Sequence, residues 1–569
     1  MKTTFRKTMI WLHTYLGIIS GWLLFVIFVT GTLSYFTPEI TYWMMPERQV
    51  IVSDGFDRNI VVDEASYTQT KTQTNTQTKT KGAQESQRFQ IEQSLNYLQH
   101  HAKNASSWRI YLPTAREQHW YVQWREGKIR HTVSFNKDAT LLGSTTDTKG
   151  GLFFRNFHYT LQLRGYGGRY IAGIAAMAML LTLFSGIYTH RRFFKDFFTL
   201  RKGKISKWTS DLHALVGIVT LPFCLMICIS AIMIYAIMYT PFSANMHFEQ
   251  GERGVNKAII PSLPPLTNST STAANSVKSS AAGASEYMLS KSIAYSAILT
   301  SLKAQWQEPH AIKRITVEAP GNENSRFIIE RTKSLTVSNR ADRLVYSSYT
   351  ATPLEGYEDE SAPATFRRIM YGLHQANFAT TGLRWLLFGL GVLSCVLIAS
   401  GLIIWVNQRR TNLSKGQKRI PLSLHIMEKG NIASIMGMAI ATPVFLLANR
   451  LIPADTLNRA NMEISAFFVA WLYCLVHVIF RPAKNAWFEQ TLVAVVSFIS
   501  LAVVGICMPF ERIKGAVGTA DITYLSFFLG FVLCGAVFSA LAYWLRVRLS
   551  ASSLSGATCN QDNLETKKE

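Results

Sequence analysis

Two stretches, "IWLHTYLG" (Ile10–Gly17) and "KWTSDLHALVG" (Lys207–Gly217), each set a histidine at the entrance of a long apolar run, with a glycine four residues later. Trp11 and Trp208 stand just upstream. A histidine is costly in hydrocarbon, and this chain places one twice at the same depth. Working outward, eight runs reach the roughly 20 mostly apolar residues that a helix needs to cross a bilayer core of about 30 Å. They lie near 9–36, 168–190, 211–238, 383–406, 431–449, 464–480, 488–508 and 521–545. The first run exceeds an ordinary signal-peptide core and is followed by "TGTLSYFTPEI" rather than a small-residue cleavage site, so it is read as a retained helix.

The net charge of +23 would suggest nucleic acid in a soluble protein, but its distribution argues otherwise. Residues 190–207 carry Arg191, Arg192, Lys195, Arg201, Lys202, Lys204 and Lys207 against Asp196 alone, and 407–430 carry Arg409, Arg410, Lys415, Lys418, Arg419 and Lys429 against Glu428. With Lys2, Arg6 and Lys7 in front and Arg546 and Arg548 behind, positive-inside counting puts both termini in the cytoplasm of a multi-pass protein. No nucleic acid partner is expected. Six cysteines (Cys224, Cys228, Cys395, Cys474, Cys507, Cys534) fall in the apolar runs and Cys559 in the polar tail, so disulfides tie neither large polar region. Cys224 and Cys228 share a helix face, which is half a metal site.

The chain then divides into a first transmembrane helix (1–36), an exported module (37–167), transmembrane helices two and three with a basic cytoplasmic loop (168–238), a second exported module (239–382), a fourth helix (383–406), a basic loop (407–430), a four-helix extension (431–545) and a cytoplasmic tail (546–569). The first module opens on the polar tract "TQTKTQTNTQTKTKGAQESQ", which buries too little to order itself. A helix follows in "QIEQSLNYLQHHAKN", then strands in "WRIYLP", "HWYVQWREG" and "IRHTVSFNKDATLLGS". The second repeats the plan, with Ser/Thr/Ala-rich 267–285, a helix in "YMLSKSIAYSAILTSLKAQW" and strands in "IKRITVEA", "SRFIIERT", "SLTVSNR" and "RLVYSSYTATPL". Two small α+β modules are the simplest reading.

The membrane part repeats as well. "FHYTLQLRGYGGRYIAGIAAMAMLLTLFSGIYTHRR" aligns with "LHQANFATTGLRWLLFGLGVLSCVLIASGLIIWVNQRR" when one residue is dropped, matching His158 with His374 and Ser185-Gly186 with Ser400-Gly401. The fold class is therefore an α-helical polytopic membrane protein, with two parallel two-helix repeats, two exported α+β modules and a four-helix extension outside the repeat.

His13 and His213 stand one turn inside the cytoplasmic ends of spans one and three, while His158 and His374 precede spans two and four on the exported side. Each layer takes one histidine from each half. Two neutral imidazoles from different helices can hold a haem between them. Gly17 and Gly217 would clear bulk on the histidine face, and Gly186 and Gly401 would do so deeper in spans two and four. A lone histidine at a helix end reads more simply as an interfacial hydrogen-bonder. An interface histidine, however, has no reason to recur at matched positions, and two haems in two layers would carry electrons across the membrane. Weaker candidates are His190 in the "THRR" cluster, whose repeat partner is Trp405, and His425 and His477 in the extension, as a third site or an entry point for electrons.

With "WLHTYLGIISG", "FHYTLQLRG", "LHALVG" and "LHQANFATTGLRW" arranged around two exported segments, the chain resembles, over roughly residues 5–410, the PepSY-associated transmembrane proteins. These include iron-regulated membrane proteins and periplasmic ferrisiderophore reductases of Gram-negative bacteria. The resemblance implies PepSY-like modules, haem b held by His13, His158, His213 and His374, an inner-membrane location, and one-electron reduction of a ferric siderophore or similar iron chelate in the periplasm. Pairing His13 with His213 and His158 with His374 follows from the topology alone. No Gly-x-Gly-x-x-Gly after a strand offers a nucleotide site, so a cytoplasmic protein or a membrane quinol would deliver electrons. Arg109, Arg125 and Arg155 could attract an anionic chelate. A non-redox, membrane-anchored PepSY binding or regulatory protein is the alternative. A transporter ranks last, since the spans are nearly free of midplane charge.

Overall fold

The computed structural model describes residues 2–45, 76–114, 120–127, 129–135, 141–142, 147–189, 205–259, 312–320, 325–331, 343–347, 353–354, 362–414, 420–453, 456–507 and 522–565, together with Arg116 and Val337. In chain order the helices are α1 (Lys2–Ser34), α2 (Thr37–Trp43), α3 (Thr76–His101), α4 (Leu152–Thr160), α5 (Gly168–Thr189), α6 (Ile205–Tyr239), α7 (Pro241–His247), α8 (Glu252–Ile259), α9 (Ala362–Gln375), α10 (Thr381–Ser414), α11 (Leu422–Leu451), α12 (Arg459–Phe480), α13 (Ala483–Cys507) and α14 (Ile522–Glu565). The strands are β1 (Ser107–Tyr111), β2 (Trp120–Glu126), β3 (Ile129–Phe135), β4 (Leu141–Leu142), β5 (Ile312–Glu318), β6 (Arg326–Arg331) and β7 (Arg343–Ser347). Among the described residues eight helices, α1, α5, α6 and α10–α14, are long and apolar enough to cross a membrane, as the eight apolar runs predict. The expected helix "YMLSKSIAYSAILTSLKAQW" and nearly all of the expected strand "SLTVSNR" lie outside the described residues.

The chain forms two compact units. The helical unit comprises residues 1–46, 146–239 and 379–569. Within it α1 packs on α5 and α10, and α6 packs on the same two helices, closing a ring of four with α1 and α6 at opposite corners. The two corner helices carry matching buried hydroxyls that turn back onto their own backbones. Ser20 bonds Leu16 O and Thr220 bonds Val216 O; Thr30 bonds Val26 O and Ser230 bonds Met226 O. Satisfying a hydroxyl this way lets it sit in an apolar bundle without a partner helix.

The extension is built onto this ring rather than beside it. Asn431 of α11 accepts from Trp22 Nε1 of α1 (2.8 Å) and donates to Leu402 O of α10 (3.2 Å), while Gly430 leaves room for the Trp22 ring. Phe445 and Phe467 of the extension pack against Phe153 of α4 at 4.6 and 5.0 Å. At the same end, Glu463 is fully buried and takes hydrogen bonds from Thr148 (2.6 Å) and Asn449 (2.8 Å), with Arg459 at 3.0 Å. A buried carboxylate survives because those donors and the guanidinium replace water.

The second unit comprises residues 47–145 and 240–378. Two separate modules are not what forms. The strands of both segments make one antiparallel sheet in the order β4-β3-β2-β1-β5-β6-β7. The join is β1 against β5, with Ile110 opposite Ile315. One apolar core runs under both halves, from Ile91, Leu98, Trp108 and Trp120 to Val317, Phe327 and Tyr346. Alone, the four strands β1–β4 and the three strands β5–β7 would each leave their first strand as an unpaired edge, and the two solve that problem by pairing those edges with each other.

The polar tract also departs from expectation, because its second half is helical and α3 begins at Thr76. Its docked residues, Ile91, Leu95 and Leu98, anchor the helix on the sheet. From there propagation through Gln and Lys costs little once the nucleus exists. Ile110→Ala and Ile315→Ala should each cost about 2–5 kcal/mol, the range for emptying a core aliphatic site. Because the core is shared, proteolysis should then open cleavage sites in both segments together; cutting confined to one would contradict a single unit.

Candidate functional site

His13 and His213 project from the opposite corners of the four-helix ring and meet across it, with ring centroids 6.4 Å apart and planes at 74°. Neither ring is left to choose its own orientation. His13 Nδ1 lies 2.9 Å from Thr182 O on α5, and His213 Nδ1 lies 3.0 Å from Leu397 O on α10, with Ser400 Oγ at 3.1 Å. A carbonyl oxygen only accepts, so Nδ1 carries the proton in each neutral ring and Nε2 carries the lone pair.

The access each ring needs is supplied by a glycine. A helical carbonyl is already bonded to the amide four residues on, and the side chain there crowds the same oxygen. Gly186 and Gly401 occupy those positions. A Cβ at Gly186 would stand 3.1 Å from His13 Cε1, and one at Gly401 would stand 3.0 Å from His213 Cε1. They therefore serve the His13/His213 layer itself, rather than clearing space deeper in the spans. Gly17 and Gly217 do not clear the histidine face either. They turn toward Thr182 and Leu397, at 4.0 and 3.4 Å, letting α1 close on α5 and α6 on α10.

His158 repeats the device. On α4, its Nδ1 lies 2.8 Å from Ile27 O of α1, and Gly31, four residues on, makes the space; a Cβ there would be 2.7 Å from His158 Cε1. Burial holds this imidazole below the usual histidine range, only partly offset by the Ile27 hydrogen bond, so it stays neutral. Fourteen residues of α1 separate His13 from Ile27, an axial distance of about 21 Å at about 1.5 Å per residue. His374 closes α9 in the second unit and is half-buried.

The weaker candidates differ. His477 uses both ring nitrogens within the extension, Nε2 at 3.0 Å from Glu489 and Nδ1 at 3.3 Å from Gln490. Arg481 grips the same Glu489, and its guanidinium is held above its ordinary pKa by that carboxylate. His425 is exposed on the first turn of α11, beside Leu422, Ile426 and Lys429. His190 lies outside the described residues. Arg155 is exposed on α4. Cys224 contacts Ser394 Oγ at 3.3 Å. Among the described residues no three His, Cys, Asp or Glu side chains converge to hold a metal ion.

The chemistry available at His13 and His213 is coordination by two imidazoles. The 6.4 Å between ring centroids is compatible with His13 and His213 holding a haem between them. Plain edge contact between rings also spans about 4.5–7 Å, so distance alone does not decide. The Nδ1 hydrogen bonds satisfy the buried N–H of each ring and, by fixing the tautomer, make Nε2 the nitrogen that could coordinate. What sequence reasoning missed is Gly31. It has no glycine counterpart in α6, because aligning His13 on His213 sets Gly31 against Ala231, so comparing the two halves does not single it out.

The sequence profile of the PepSY-associated TM region matches residues 10–408. Comparison with curated proteins finds no match. Gly31→Ala should push His158 off Ile27 O and cost about 1–3 kcal/mol, as overpacking does. Loss of the His158 Nδ1–H signal in nitrogen-15 NMR, with a lowered unfolding midpoint, is the expected result, and an unchanged signal would refute the role given to this glycine.

Proposed function

Because the chain belongs to the PepSY-associated TM family and is a multi-pass membrane protein, we propose that it is a haem-b electron-transfer protein of a bacterial inner membrane that reduces a ferric chelate on the exported side. The observation that carries this reading is the facing pair His13 and His213, each with Nδ1 bonded to a backbone carbonyl of a third helix. A haem bound there would supply one-electron chemistry at its iron. The residues hold and tune it. Thr182 and Leu397 orient the imidazoles and raise their basicity through Nδ1, and Gly186 and Gly401 keep the rings close to those carbonyls. His158, and His374 by its alignment in the sequence, are assigned as further haem ligands.

The orientation rests on the basic residues at alternate helix ends, such as Arg409, Arg410 and Lys429. Electrons enter from a cytoplasmic protein or a membrane quinol. Reduction of the chelated iron from Fe(III) to Fe(II) weakens its hold on hard oxygen ligands and releases it. His477 and His425 are left out of the ligand set, His477 because both its nitrogens are engaged with Glu489 and Gln490.

Purified from haem-replete cells, the protein should be red, with the reduced-minus-oxidised spectrum of low-spin haem. His13→Ala and His213→Ala should each lose the same haem, lowering the haem-to-protein ratio equally and not additively in the double variant, while His477→Ala keeps it. A colourless protein, or two single variants that each retain full haem, would favour a non-redox membrane-anchored binding protein instead.

A further inference from the structure

The sheet of the second unit has one face on its apolar core. The other face of β1–β3 is partly exposed, most fully at Arg125, Arg130 and Thr132, and is covered at Ser134. Along it run Ser107, Arg109 and Tyr111 of β1, Tyr121, Gln123 and Arg125 of β2, and Arg130 and Thr132 of β3, fixed on one side by the strand register. Arg125 stands directly opposite Arg130, both exposed, and Arg109 is their diagonal neighbour across Gln123. Like charges directly opposite on a sheet destabilise it, and among the described residues no carboxylate is paired with these guanidiniums. The acidic residues of the adjoining strands are already used. Glu318 is held by Arg326 at 2.7 Å, and Glu330 by Arg314 at 2.6 Å and Arg343 at 2.9 Å.

Beside the arginines is a flat aromatic surface. Tyr111 and Tyr121 stack at 4.4 Å with planes 14° apart, both half-exposed, and Arg314 lies over Tyr111 at 5.6 Å. A repulsive arginine pair next to a stacked tyrosine pair makes sense if something anionic and planar neutralises the one and lies on the other.

We infer that this face binds an anionic iron chelate whose oxygen donors are carried on aromatic rings, the catecholate class, in preference to hydroxamate chelates. A ferric complex of three catecholates retains net negative charge and presents ring faces, whereas one of three hydroxamates is neutral and has none. Arg109, Arg125 and Arg130 take the charge, and Tyr111 and Tyr121 take the rings. The inference rests on the proposed reductase reading for the metal in the ligand, but the face itself is independent of any haem.

The test separates binding from reduction by using gallium(III), which has the charge and size of iron(III) and is not reduced by a haem. Full-length protein in lipid nanodiscs is dialysed against gallium tris-catecholate or gallium tris-acetohydroxamate, and bound gallium is measured by elemental analysis. The wild type should retain the catecholate complex at least tenfold better than the hydroxamate, with affinity falling as salt rises. Arg109→Gln with Arg130→Gln, and separately Tyr121→Ala, should each weaken catecholate retention tenfold or more. The double variant removes the repulsion between Arg130 and Arg125, so its own thermal midpoint should be unchanged or higher, which excludes unfolding as the cause of lost binding. Equal retention of the two complexes, or full retention by the arginine variant, overturns the inference. A colourless protein that passes this test removes the reductase reading and leaves the binding face; a red protein that fails it does the reverse.

Discussion

A histidine inside an apolar bundle must give its Nδ1–H a partner, and here the partner is a carbonyl of a helix that is already fully hydrogen-bonded. That constraint organises the membrane ring. It requires a second acceptor direction on the carbonyl, a neighbouring helix close enough to reach, and no side chain one turn further on. Thr182 with Gly186, Leu397 with Gly401, and Ile27 with Gly31 meet all three conditions. The reward is a rigid ring whose other nitrogen is chemically defined. A donor to a buried carbonyl contributes only about 0.5–1.5 kcal/mol net, so these bonds matter more for orientation than for stability.

The extension gains a purpose from the same geometry. Its described helices do not contribute a fixed imidazole of this kind. They instead hold the ring helices in place, through Asn431 between Trp22 and Leu402, through the phenylalanines packed on α4, and through the Glu463 cluster that captures Thr148 just before α4. α4 is short and carries His158, and an isolated nine-residue helix is marginal in water. Phe153 and Phe157, packed against Phe467 and Phe468, give it a fixed seat. The extra helices therefore act as a clamp on α4 and its His158.

Much of this was legible in the chain itself, and the reasons for success and failure are physical. The eight spans and the strands β1, β2, β5 and β6 follow from local periodicity, which is a property of neighbouring residues. The matched histidines follow from repetition of short motifs. What could not be read is anything that depends on a distant partner. Nothing in "WRIYLP" says that its edge is covered by "IKRITVEA" two spans later, so one sheet looked like two modules. Gly17 and Gly186 are both small residues near histidines in sequence terms, and only the packing distinguishes the glycine that faces the Thr182 side chain from the one that faces an imidazole. The helix start at Thr76 was hidden by composition, because a tract of Gln, Thr and Lys reads the same whether free or continued from an anchored turn.

The pairing of β1 with β5 sets a timetable for biosynthesis. Ser107 finds its neighbour at Glu318, so the first strand waits while about two hundred further residues are made, roughly 10–40 s at about 5–20 residues per second. Throughout that interval two hydrophobic spans must be inserted while a bare strand edge stands in water, a situation that favours misassociation between nascent chains. The arginines of β2 and β3 would keep such half-made copies apart, so the charge that costs the finished sheet some stability also protects the unfinished one.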